Sequence, residues 1–184
     1  MFTYELDNQT ELRQLREQHT DELFALTDKN RAHLRRWLPW LDRIESKANT
    51  ENFIKSSLEQ FRMDNGLETG IWFRNSLVGV IGYHWIDWEN RITSIGYWLD
   101  ESHQGQGLIT RACQTMVDHA FKELKLNRIE IRCATKNQKS RAIPERLGFR
   151  EEGIIKEAEW LYDHFVDHVL YGLVAHEWEN MRRT

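Results

Sequence analysis

The sequence predicts a mixed α/β fold with a mostly antiparallel central sheet, flanking helices and one β-α-β crossover. Three observations carry this. Apolar residues between positions 20 and 61 recur at helical spacing. After Asn65-Gly66 the period drops to two, and strand patterns follow one another over short links. One long helical pattern, Ala112 to Leu124, stands between two strand patterns. Short links join antiparallel neighbours, whereas a parallel pair needs a crossover long enough to hold a helix.

Residues 2–15 read as two short extended stretches broken by the turn cluster Asp7-Asn8-Gln9-Thr10. Thr20-Asp21 offers an N-cap for a helix to about Lys29. Arg31 to Trp40 reads as a second helix stopped by Pro39, and Thr50 as the cap of a third that carries Phe53, Ile54, Leu58 and Phe61. Ile71–Phe73, Leu77–Trp85 and Arg91–Leu99 are expected as an antiparallel meander. The long helix follows a glycine stretch, then Arg128–Cys133 alternates as a strand. Asn137–Leu147 is expected as a short helix, Glu151–Trp160 and Phe165–Leu173 as a hairpin around Asp163, and Val174–Met181 as a closing helix or tail.

A length of 184 residues suits one domain, 1–184, with a real core. The formal net charge of −4 gives no basic field, so no direct nucleic-acid partner is expected. Arg31, Arg35 and Arg36 cluster, as do Arg182 and Arg183, and both runs read as solvated faces. Cys113 and Cys133 lie far apart without a C-x-x-C pair, so neither a zinc site nor a disulfide is signalled, and both read as small core residues. No apolar run reaches membrane-spanning length and no leader pattern opens the chain, which makes a cytoplasmic protein the expectation.

The stretch His103-Gln104-Gly105-Gln106-Gly107-Leu108-Ile109-Thr110 lies where a strand gives way to a helix. A helix start leaves backbone N–H groups unpaired, and glycines let an anion reach them. A plain flexible turn fits the same residues. The P-loop string is absent. The dinucleotide fingerprint lacks its third glycine, because Arg111 or Ala112 stands in its place, and the preceding strands are antiparallel.

The stretch resembles motif A of the GNAT acetyltransferases, [RQ]-x-x-G-x-[GA], with Gln104 and Gly107 in register and Ile109 replacing the last small residue. The segment "NQKSRAIPERLGF", Asn137 to Phe149, resembles the second family motif. Across nearly the whole chain the likeness is to the RimJ/RimL branch, which acetylates N-termini of ribosomal proteins. The segments that carry it are "NRAHLRRWLPWL", "YWLDESHQGQGLITRA", "NQKSRAIPERLGF" and "EGIIKEAEWLYDHFVDHVLYGL". The resemblance implies a GNAT fold whose β-α-β core binds acetyl-coenzyme A. It places the pyrophosphate on Gln104, Gly105, Gln106, Gly107, Leu108, Ile109 and Thr110. It places the pantetheine arm along a splayed strand edge at Tyr97, Trp98 and Leu99, where a backbone N–H polarises the thioester, and at Asn137. It also implies a homodimer.

Transfer of an acetyl group to an amine requires a deprotonated amine, a polarised thioester and a proton for the leaving thiolate. Many family members supply the acid from a tyrosine at the position that Pro144 fills here. Ser140, one helical turn after Asn137, resembles the serine assigned to protonate the sulfur. Glu159 in "EAEWLYD" resembles the base of this branch. Glu157, two residues away, would share its face on a regular strand. Trp37 and Trp40 match a segment that walls the acceptor site, and Trp85, Trp88 and Trp160 are expected to extend that wall. His164 and His168 stand four apart without a third ligand, so no metal is expected.

The expected activity is therefore acetyl-coenzyme A-dependent N-acetylation, without a metal, by direct transfer to the α-amino group of a protein, plausibly a ribosomal one. Two alternatives stay open: a small amine such as a polyamine or an aminoglycoside as acceptor, and a non-catalytic acyl-coenzyme A-binding module.

Overall fold

Eight strands form a single sheet in the order β1-β2-β3-β4-β5-β6-β8-β7 in the computed structural model, which describes residues 2–183 apart from the side chain of Arg183. Met1 and Thr184, the ends of the expected 1–184 domain, lie outside the described residues. The strands are β1 (Thr3–Asp7), β2 (Thr10–Gln14), β3 (Leu67–Phe73), β4 (Ser76–Asp87), β5 (Ile92–Leu99), β6 (Arg128–Ala134), β7 (Arg150–Leu161) and β8 (His164–Val174). The helices are α1 (Thr20–Lys29), α2 (Arg31–Leu34), α3 (Lys47–Arg62), α4 (Leu108–Lys122), α5 (Gln138–Arg146) and α6 (Ala175–Arg183).

Every neighbouring pair of strands is antiparallel except β5 and β6, which α4 joins as a crossover. The meander turns at Arg74-Asn75, both with positive φ, as a tight two-residue hairpin requires. Helix α4 buries Leu108, Ala112, Met116, Val117 and Ala120 against Leu12, Ile71, Ile81, Tyr83 and Ile95 on one face of the sheet. Leu23 and Leu26 of α1 and Ile54 of α3 cover Trp72, Leu77 and Val80 on the other.

Two expected boundaries are corrected. Thr50 does not cap α3. The cap is Ser46, whose N–H donates to the Asn49 side-chain oxygen at 3.0 Å, and Thr50 is buried inside the helix. The second helix spans only Arg31–Leu34, after which Trp37–Trp40 forms turns, because a residue before proline is disfavoured from helical geometry.

The sheet is not continuous across its middle. Strands β5 and β6 pair only as Ile92–Arg128, Thr93–Ile129 and Ser94–Glu130. Beyond Ser94, β5 keeps β4 as its partner and β6 keeps β8, so the two halves splay into a V. The V positions everything that follows.

Candidate active site

One cleft, of about 750 Å³, lies where β5 runs into α4. Between them Glu101–His103 forms a single 3-10 turn and the glycines follow. Gly105 (φ 77°) and Gly107 (φ 72°) both adopt left-handed backbone, which costs a residue with a side chain about 1–2 kcal/mol. A side-chain carbon at Gly105 would meet nothing within 4 Å, and one at Gly107 only Arg111 Nη1 at 3.1 Å. The space over the loop is thus open. Gly107 caps α4, and the N–H groups of Leu108, Ile109 and Thr110 have no intrahelical acceptor. Ile109 is buried in the core under α4, so its bulk does not stand over the loop.

Asp100 fixes this geometry. Its buried carboxylate accepts from Lys29 Nζ at 2.9 Å and Ser102 Oγ at 2.8 Å, and lies 2.8 Å from His103 Nδ1. Burial alone would raise its pKa. The hydrogen bonds from Lys29, Ser102 and His103 outweigh that and hold it well below the usual carboxylate range. Gln104 spans the cleft mouth: its Oε1 accepts from Lys139 Nζ at 2.7 Å and its Nε2 meets His33 Nε2 at 2.9 Å. Tyr97, Trp98, Leu99, Leu108, Ile109, Thr110 and Asn137 line the same cleft, whereas Gln106 is exposed and does not.

At the fork of the V sits a polar cluster. Asn137 Oδ1 accepts from Ser140 N at 3.2 Å and so caps α5. Ser140 Oγ lies 3.2 Å from Cys133 Sγ and 3.5 Å from the Tyr97 hydroxyl. Pro144 lies within α5 and has no N–H, so the Ser140 carbonyl, four residues earlier, loses its helical donor. The Tyr97 hydroxyl donates to that carbonyl at 2.9 Å. Burial pushes the Tyr97 hydroxyl well above its ordinary pKa, which keeps it protonated. Burial also pushes up the thiols of Cys113 and Cys133, so neither is an activated nucleophile. Cys133, read from the sequence as core, faces this cluster.

A second cleft of about 540 Å³ opens on the far side of the fork and shares Trp37, Leu38, Tyr97, Trp98, Asn137 and Ser140 with the first. Trp37, Trp40 and Phe53 wall it, with Trp40 tilted against Trp98 at 6.3 Å. Glu159 reaches it from β7, 3.5 Å from His168 Nε2 of β8. The tryptophan loop is clamped from two sides. The Tyr162 hydroxyl, at the β7–β8 turn, donates to the Leu38 carbonyl at 2.5 Å and accepts from Leu41 N at 3.2 Å. Arg35 stacks on the Tyr162 ring at 3.7 Å and holds Asp42 through two hydrogen bonds of 2.9 and 2.8 Å. Arg31, whose guanidinium donates to the Leu41 and Ile44 carbonyls, joins Arg35 in this clamp, though a solvated face is expected for both from the sequence.

Several expected members of the site lie elsewhere. Glu157 is exposed and does not line the cleft. Lys156, Glu157 and Ala158 bulge between the pairs Ile155–His168 and Glu159–Val166, and Glu157 takes a positive φ of 48°, so the expected carboxylate pair does not form. Trp85 is exposed and lines neither cleft. Trp160 is also outside them, with its ring packed on Phe165 at 4.8 Å. Trp88 donates to the Asp64 carbonyl on a different surface. His164 pairs with Asp163, away from His168. Among the described residues no group of three or more His, Cys, Asp or Glu converges on a metal position. No sequence signal marks Glu68 and His84, which strands β3 and β4 bring into the second cleft.

The profile of the Acetyltransferase (GNAT) domain matches residues 9–150. The chain belongs to the GNAT acetyltransferase family. A GNAT relative, the putative ribosomal N-acetyltransferase YdaF of Bacillus subtilis, is 38% identical over 97% of this chain and 98% of its own length. The ribosomal-protein-serine acetyltransferase of Escherichia coli is 33% identical over 94% of this chain and 96% of its own. Among solved GNAT structures, RimL, a ribosomal alpha-N-protein acetyltransferase in complex with coenzyme A, superposes with a TM-score of 0.91 at 30% identity, covering 94% of this chain and 98% of that one. The GNAT fold and N-acetyltransferase class expected from the sequence hold.

Proposed function

We propose that the protein acetylates the N-terminal α-amino group of a ribosomal protein, using acetyl-coenzyme A in a direct ternary-complex transfer. The observation that carries this reading is the pair of clefts meeting at Ser140, Asn137 and Tyr97, one floored by a helix start, the other walled by tryptophans. The names of the relatives point to the same acceptor class. The open left-handed glycines and the unpaired N–H groups of Leu108, Ile109 and Thr110 suit a pyrophosphate. The unpaired edge of β5 at Tyr97–Leu99 suits an extended amide arm. When bound, acetyl-coenzyme A supplies the activated acetyl group.

The protein's own residues then divide the work. The β5 edge and Asn137 orient the thioester, and the edge supplies the N–H that polarises its carbonyl. Glu159, entering from β7, removes the amine proton directly or through water. An α-amino pKa of roughly 7.7–8.0, against about 10.4 for lysine, makes this a modest task. Ser140 donates a proton to the departing sulfur, with Tyr97 holding its backbone in place. Neither thiol is ionised, which favours direct transfer over an acyl-enzyme.

The reading includes a cytoplasmic homodimer. The apolar Ile154, Trp160 and Phe165 exposed on the β7–β8 hairpin support self-association, which sedimentation of the purified protein measures. The activity test is turnover of acetyl-coenzyme A with peptides carrying free N-termini, beside mass spectrometry of ribosomal proteins from cells with and without the gene. Loss of one acetyl group from a ribosomal N-terminus on deletion is expected. Turnover on polyamines alone would overturn the assignment.

A further inference from the structure

Glu68 sits on β3 opposite Gly82, which in turn stands opposite Gly96 of β5. The two glycines clear a lane across the sheet. The Glu68 carboxyl lies over Gly82, where a side-chain carbon would come within 2.5 Å of Oε2, and the His84 ring fills the space over Gly96. This face otherwise carries Trp72, Val80 and Trp98 beneath α1 and α3. Glu68 and His84 emerge where that cover ends, in the cleft that also holds Trp40, Ser140 and Glu159.

Among the described residues the Glu68 carboxyl has no hydrogen-bond or ion-pair partner in the protein. An unpaired, half-buried carboxyl is costly, and proteins rarely keep one on the inner strands of a sheet without compensation. The other titratable groups on the cleft are His84 from β4, Tyr97 from β5, Arg132 and Cys133 from β6, Glu159 from β7 and His168 from β8. None neutralises Glu68. Arg132, the only arginine or lysine there, is paired with Glu130 at 3.2 Å. His84 opens onto the cleft but is flanked by protein elsewhere, and desolvation lowers its pKa, so it is neutral at physiological pH. The cleft therefore presents an unpaired carboxyl on its floor, a second carboxyl at Glu159 and aromatic walls.

We propose that Glu68 is the specificity-determining residue that captures the positively charged amino terminus of the acceptor and admits cationic amines over neutral ones. This deepens the N-acetyltransferase reading and rests on it for the identity of the acceptor. An α-ammonium is a compact cation with an N–H for each of several acceptors, and it fits a single carboxyl between aromatic walls. A polyamine would call for several unpaired carboxyls along the cleft; of the two there, Glu159 lies 3.5 Å from His168 Nε2, and Glu68 alone has no partner among the described residues. Burial lifts the Glu68 carboxyl to about 8, into the range of an α-amino group, so capture and proton sharing between the two are closely balanced. Glu159 remains the group that takes the proton for reaction.

The test compares wild type, Glu68→Gln and Glu68→Asp with octapeptides that differ in their first residue, each with a free or an acetylated N-terminus. Glu68→Gln is expected to raise the acceptor KM by about 10- to 100-fold. The acetyl-coenzyme A KM should move less than twofold, and Glu68→Asp should recover most of the acceptor affinity. In calorimetry on the coenzyme A complex, Glu68→Gln should weaken the free-terminus peptide and leave the acetylated one as it was. Equal weakening of both peptides, or an unchanged acceptor KM, overturns the proposal. If wild type acetylates no peptide, the N-acetyltransferase reading fails on its own. Calorimetry with the same peptides and with spermine still decides whether Glu68 recognises an ammonium: unchanged binding of all of them in Glu68→Gln overturns it.

Discussion

Gly107→Val tests the cofactor cleft most directly, because the structure separates its two effects. Gly107 holds φ 72° and ψ 10° as the cap of α4. A side chain there pays about 1–2 kcal/mol for the left-handed backbone. For a chain of this size that lowers Tm by roughly 2–8 °C. The steric term on folding is small, since the first atom met is the flexible tip of Arg111 at 3.1 Å. The binding term is larger. A branched side chain stands over the start of α4 and denies an anion the N–H groups of Leu108 and Ile109. Two hydrogen bonds to a charged group, at about 2 kcal/mol each, amount to roughly 700-fold in Kd. Calorimetry with acetyl-coenzyme A and a thermal melt read the two effects separately. Gly105→Ala, with nothing near its added carbon, pays the strain and keeps most of the affinity. Gly107→Asn, which tolerates this backbone better, should melt above Gly107→Val. A Kd within threefold of wild type in Gly107→Val, with the melt lowered as expected, would refute the cradle.

Asp100→Asn removes the charge that holds Lys29, Ser102 and His103, and should cost roughly 2–3 kcal/mol at neutral pH, measured by urea unfolding. The sign of its pH dependence follows from a depressed carboxyl. The contribution is complete above the unfolded pKa of about 3.9 and fades as pH falls toward the lower folded value, so wild type and variant converge in acid. Tyr97→Phe strands the Ser140 carbonyl and should cost about 1–2 kcal/mol. In a Pro144→Ala background, where the helical N–H returns, the cost should shrink, and a double-mutant cycle measures the coupling. Glu159→Gln should lower kcat by about 10²- to 10⁴-fold with acetyl-coenzyme A affinity kept, and an unchanged rate would remove it as the base.

Local pattern revealed much of this molecule. The turn expected at Asn75-Ser76 falls one residue earlier, at Arg74-Asn75, while the two-residue period of the meander and the apolar face of α4 follow from neighbours in sequence. So does the pairing of a strand end, two glycines and a helix start. The failures have physical causes. Ser46 is hidden as a cap because Asn49 and Thr50 follow it closely and are equally good capping residue types. The bulge that turns Glu157 away leaves no mark in the alternation of Glu157 and Glu159. Trp85 and Trp160 carry the same composition signal as Trp37 and Trp40, and only the clamp by Tyr162 and Arg35 tells them apart. Glu68 and His84 enter the cleft through register alone, over glycines on other strands.

The short ladder between β5 and β6 has a mechanical consequence. Three residue pairs make it a seam, with β1–β5 forming one leaf and β6–β8 the other. Helices α4 and α5 brace the seam but do not replace its missing rungs. A ligand seated in the V contacts both leaves and serves as an extra rung, so its binding energy adds to the cohesion of the sheet. On the proposed reading the donor substrate is in that sense a detachable strand, and each catalytic cycle would remove and restore part of the fold's own framework.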